Sequence, residues 1–100
     1  MTADKSAYIL VDTTITDPVA YEDYKAAAKP IAEHYGGVYL TRGGKMDIMQ
    51  TELWDPARIV LLKFPSMAAA HAFLNSPEYA PIKSIRLANS TATLLVLEGL

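Results

Sequence analysis

Apolar and polar residues alternate along the chain with three separable rhythms. From Ser6 to Thr14 (SAYILVDTT) the period is two: Tyr8, Leu10 and Asp12 share one face, and Ala7, Ile9 and Val11 share the other. That is a strand apolar on both sides. Asp17 then reads as a helix N-cap with Pro18 at the first helical position, where its missing N–H costs nothing. Tyr21, Tyr24, Ala28, Ile31 and Tyr35 recur at spacings of three and four and form one apolar stripe, while Glu22, Lys25, Lys29 and Glu33 fall opposite. Pro30 deletes one backbone hydrogen bond, which predicts a kink near Ala26 rather than a break, and Gly36-Gly37 ends the helix.

Val38 to Leu53 reads as extended on both sides of Arg42-Gly43-Gly44, and the turn signal WDPAR follows. Arg58 to Phe64 (RIVLLKF) has the branched, aliphatic density of a buried strand. Ser66 caps a second helix, MAAAHAFLN, with Ala70, Phe73 and Leu74 facing inward. Ser76-Pro77 repeats the cap-then-proline signal and opens the helical segment PEYAPIKSIRLAN, whose first turn Pro81 disturbs. Thr91 to Leu97 is the last strand. Strand, helix, interrupted strand, strand, helix pair, strand is a split βαββαβ unit, an α+β sandwich of ferredoxin-like type with an antiparallel sheet and helices on one face. The first, third and last strands look apolar on the second face too, so that face is expected to bury itself against another copy of the chain.

The size of the chain, 100 residues with 51% hydrophobic and 20% charged, suits one domain over residues 1–100. A net charge of −2, from 9 basic and 11 acidic residues, supplies no footprint for nucleic acid or an anionic membrane. Cysteine is absent, which removes disulfides, thiolate nucleophiles and cysteine metal sites. The N-terminal apolar run is too short for a secretory or membrane-spanning segment, so cytoplasm is the expected compartment.

The stretch TRGGK allows three readings. A phosphate loop needs glycines leading into a helix, and here a strand follows. A Gly-Gly hairpin would add a strand to an order whose hairpin already falls at Asp55-Pro56. A glycine bend or bulge within one long strand is preferred, and it would aim Arg42 into the cleft between sheet and helices.

Arg58 and Arg86 are the other candidate cations, with Glu52, Glu78, Asp12 and Glu98 available to neutralise them. An internal ion-pair network is the ordinary arrangement for buried arginines; a missing carboxylate would leave room for a small anionic ligand. Tyr8, Tyr39, Trp54, Phe73 and Tyr79 are candidate walls of a pocket, or simply core and interface aromatics. His71, near Phe73 on the second helix, is a candidate general base, with Tyr79 as a second proton-moving group. His34 at the end of the first helix needs only a capping role. Two distant histidines without cysteine or His-x-x-x-His spacing build no metal site, and neither metal nor cofactor is expected. No nucleophile elbow occurs, and Ser66 and Ser76 are explained as caps.

Five collinear stretches, DPVAYEDYKAAAKPIAEHYGG, YLTRGG, RIVLLKFPS, SPEY with Arg86 behind it, and the terminal EGL, together resemble the domain of unknown function 1330 family of the dimeric α/β-barrel superfamily. The resemblance implies a homodimer with two sheets packed face to face and a cleft in each protomer. The wider superfamily includes cofactor-independent monooxygenases, lactone isomerases, dehydratases and haem-using enzymes, among which fold alone does not choose. The functional expectation is a homodimer that binds a small anionic or carbonyl compound, as a metal-free acid–base enzyme or, alternatively, as a non-catalytic binding or interaction module.

Overall fold

A computed structural model of the chain describes residues 4–100. Strand β1 (Ala7–Ile15) leads through the Asp17 cap into α1 (Pro18–His34); β2 (Val38–Arg42) and β3 (Ile59–Phe64) follow; α2 (Met67–Leu74) and α3 (Tyr79–Asn89) precede β4 (Ser90–Glu98). The four strands form one antiparallel sheet in the order β2-β3-β1-β4. This is the βαββαβ architecture that the periodicities require.

The caps work as their chemistry dictates. The Asp17 carboxylate accepts the Val19 and Ala20 N–H groups at 3.1 Å each, and Ser66 Oγ accepts Ala69 N–H at 3.0 Å. Ser76 Oγ accepts Tyr79 N–H at 3.2 Å, so it caps as expected although helical geometry begins only at Tyr79. Helix α1 continues through Pro30 to His34.

Register explains the core. Val11 stands between Val60 and Leu94, and Ile9 between Leu62 and Val96, all turned toward the helices. Phe64, Phe73 and Tyr79 close the layer with ring centroids 5.6 and 4.7 Å apart. Burying each such side chain contributes roughly 1.5–3 kcal/mol. On the opposite face the row is Leu61–Leu10–Leu95, flanked by Tyr8 between Lys63 and Leu97. Among the described residues no helix covers that face; Leu95 and Leu97 remain over 40% exposed, at 45% and 43%. The domain is a slab only 18 Å thick.

One expectation fails. The span from Val38 to Leu53 is not one long strand: β2 ends at Arg42, and the stretch from 44 to 58 has no regular structure. The connection to β3 is therefore a long loop, not a tight hairpin at Asp55-Pro56. A bulge does exist, but it lies between Tyr39 and Thr41, before the glycines. Among the described residues no helix is long and apolar enough to cross a membrane.

Candidate functional site

The loop between β2 and β3 is fastened at its far end by Asp12. Its carboxylate accepts the Trp54 indole N–H at 3.0 Å, Ala57 N–H at 2.8 Å and Arg58 N–H at 3.1 Å. The Arg58 carbonyl in turn accepts Thr13 N–H at 2.9 Å. With its backbone held on both sides and the alternation of β3 continued back by one pair, Arg58 sends its guanidinium to the helix side of the sheet, 5.7 Å from the Tyr21 ring centroid.

Gly43 makes the space for it. Its φ is +71°, and a Cβ there would lie 2.6 Å from Arg58 Nε. Gly43→Ala is expected to cost roughly 1–2 kcal/mol from the left-handed backbone alone, with more from displacing the guanidinium. Urea unfolding measures this; an unchanged midpoint would mean that the close approach does not exist in solution.

The pocket between the sheet, α1 and the α2–α3 pair is lined by Tyr21, Tyr24, Tyr39, Arg42, Arg58, Phe73, Tyr79 and Arg86 over a floor of Ile9, Val11, Val60 and Leu62. Its enclosed part is about 30 Å³, enough for one or two water-sized groups. It is flanked by two shallow depressions. Arg42 also lines one of them with Glu22, Lys25, Lys29 and Glu33; Arg86 also lines the other with His71, Lys83 and Asn75.

Three guanidinium groups thus meet one narrow pocket without a counter-ion. Among the described residues the ion pairs are Lys5–Glu98 and Lys25–Glu22, and neither involves an arginine. The carboxylates available to neutralise the arginines are committed elsewhere or stand apart: Asp12 to the loop, Glu78 to the Tyr35 hydroxyl at 2.8 Å, Glu98 to Lys5, and Glu52 in an exposed stretch. Arg42 partly satisfies itself, donating from Nη2 to the Lys25 carbonyl at 2.6 Å and stacking 4.4 Å from the Tyr39 ring centroid. Arg86 is 8% exposed, and its Nε and Arg58 Nη1 are buried without a hydrogen-bond partner. Buried polar groups of this kind are rare, and each calls for an explanation.

Beside them the Tyr24 and Tyr79 hydroxyls lie 2.8 Å apart. One donates to the other, which leaves one O–H of the pair free to donate further. Burial, followed by the neighbouring Tyr79, pushes the Tyr24 phenol far above its ordinary value, so it stays protonated at neutral pH. Tyr39 is also raised by burial, with Arg42 pulling the other way. A raised folded-state pKa means that the associated stability is present below the unfolded value of 10.0 and is lost as pH rises beyond it. Alkaline unfolding is therefore expected to steepen above pH 10 by about 1.4 kcal/mol per pH unit, and Tyr24→Phe to remove that component. Equal alkaline limbs in the two proteins would contradict this.

Of the candidates named from sequence, Arg42, Arg58, Arg86, Tyr39, Phe73 and Tyr79 come together here. Tyr8 and Trp54 do not: Tyr8 lies on the opposite face of the sheet, and Trp54 is hydrogen-bonded over that face to Asp12. His71 is exposed on α2 and borders only the outer depression beside Arg86. Sequence reasoning missed Tyr21 and Tyr24 because it counted them only as apolar stripe. The available signal was that buried tyrosines need partners for their hydroxyls. Among the described residues no group of three or more His, Cys, Asp or Glu side chains gathers as a metal cage.

The model of the family described as domain of unknown function (DUF1330) matches residues 6–100. A protein of unknown function from Rhodopseudomonas palustris superposes with a TM-score of 0.76 at 19% identity, covering 97% of this chain and 84% of that one. SnoaB, a cofactor-independent oxygenase from Streptomyces nogalater, superposes with a TM-score of 0.65 at 16% identity, covering 95% of this chain and 92% of that one. No curated protein sequence matches the chain. At such identities the likeness establishes the shared ferredoxin-like fold.

Proposed function

The chain belongs to the domain of unknown function 1330 family, and on that premise we propose that it is a homodimer binding a small anionic carboxylate or carbonyl compound in the arginine pocket. The observation that carries this reading is the pair of buried, unpartnered donors, Arg58 Nη1 and Arg86 Nε, on a cavity without a carboxylate. A guanidinium cannot shed its charge, so an uncompensated one persists only where a bound anion or function offsets its cost. Small carboxylic acids are expected to raise the thermal midpoint at constant ionic strength, and the double variant Arg58→Met, Arg86→Met is expected not to respond. No rise with any carboxylate in the unaltered protein would sink the proposal.

The Tyr24–Tyr79 pair favours metal-free acid–base chemistry over passive binding. A protonated phenol beside guanidinium groups suits a carbonyl oxygen that gains negative charge as a neighbouring C–H is lost. The nearest imidazole, His71, stands at the rim, where it can take a proton only from a ligand that protrudes. The non-catalytic alternative predicts carboxylate binding that Tyr24→Phe and Tyr79→Phe leave intact, with no solvent deuterium exchange at carbon.

Dimerisation has its own support. The accessible surface is 6466 Å², whereas a compact monomer of 10.9 kDa exposes about 5,600 Å². The exposed stretch from 44 to 58 and the uncovered sheet face both contribute to the excess of about 900 Å². The uncovered apolar sheet face is where a second copy fits.

A further inference from the structure

We propose that the ligand of this pocket is a short dianion whose two carboxylates engage Arg58 and Arg86 separately, a substrate class that rests on the anion-binding reading above.

The three arginines are not equivalent. Arg42 and Arg58 are both half-buried over a tyrosine ring, but only Arg42 has a carbonyl acceptor. Unmet demand is confined to Arg58, at the entry to β3, and Arg86, in the last turn of α3. They hang from different elements, each carrying a full positive charge and a fork of donors. One carboxylate neutralises one of them and leaves the other as a buried, unpaired cation, the more costly outcome.

Space and charge then fix the direction. A free volume of about 30 Å³, room for one or two water-sized groups, takes at most the two oxygens of a single carboxylate. The second carboxylate must stand outside the enclosed part, in one of the two flanking depressions. The depression beside Arg42 sets Glu22 and Glu33 against Lys25, Lys29 and Arg42, with Lys25 already paired to Glu22, so it holds an anion the more weakly of the two. The one beside α2 and α3 carries Arg86, Lys83 and Asn75 and no carboxylate among its lining residues. A dianion therefore lies with one end inside against Arg58 and the other toward Arg86 and Lys83.

Calorimetric titration of the full chain at constant ionic strength tests this with malonate, succinate and glutarate against propionate, butyrate and valerate. The best dicarboxylate is expected to bind at least about tenfold tighter than the monocarboxylate of equal length, the return on one additional charge-assisted contact. Arg86→Met is expected to abolish that preference while the monocarboxylate still binds. Equal affinities in the unaltered protein, or a preference that survives Arg86→Met, would overturn the dianion while leaving anion binding standing. No binding by either series would overturn both.

Discussion

Arg86→Met is expected to make the unliganded protein more stable, by about 1–4 kcal/mol, the range seen when buried ion pairs give way to packed apolar side chains. In a chain of this size each kcal/mol moves the midpoint by roughly 4–8 °C, so the rise is easily read by calorimetry. Methionine keeps much of the aliphatic stem of arginine and removes the guanidinium, with its charge, its two amino groups and the orphaned Nε–H. Most substitutions at buried positions destabilise, which makes the sign decisive. A fall in midpoint would mean that Arg86 is satisfied within the folded chain, contrary to its surroundings here.

Leu95→Lys is the second large effect, on assembly. Leu95 is 45% exposed in the single chain and lies beside Leu10 on the uncovered face. The change should cost the protomer little, within roughly 0.5 kcal/mol. In a two-fold dimer it places two ammonium groups in one apolar interface, and desolvating them is expected to weaken association roughly 100-fold or more. Light scattering at micromolar concentration should then fall from twice 10.9 kDa to 10.9 kDa with the helical spectrum retained. A dimer that persists would place the interface elsewhere.

The fold was legible because its signals are local. Asp17-Pro18, Ser66 and Ser76 are caps whose partners lie two or three residues away, and the alternation of Ala7, Ile9 and Val11 is fixed by strand geometry. The stretch containing Ile48, Met49 and Leu53 misled for a physical reason. Strand propensity is mostly the fit of a side chain to neighbours, and with no strand beside this segment those residues stay exposed, Met49 at 90% and Leu53 at 92%.

The site was half legible. Sequence named all three arginines but could not say whether Asp12 or Glu78 would reach them, because that depends on contacts 42 to 46 residues away in the chain: Asp12 is spent on the Trp54 indole and the Ala57 and Arg58 backbone, and Glu78 on Tyr35. Nor could composition decide which face of the sheet Tyr8 would take relative to the helices. Tyr24 was hidden inside its own regularity, since a tyrosine on an apolar stripe looks like core until the Tyr79 hydroxyl is found 2.8 Å away.

The most direct test of the anion site is the side-chain Nε–H resonance of Arg86 in proton–nitrogen correlation spectra recorded during a succinate titration. An orphaned donor is expected to resonate upfield in the free protein and to move downfield, saturably, as a carboxylate oxygen arrives. A resonance already downfield without ligand, or one unmoved at saturating succinate, malonate and glutarate, would contradict the account.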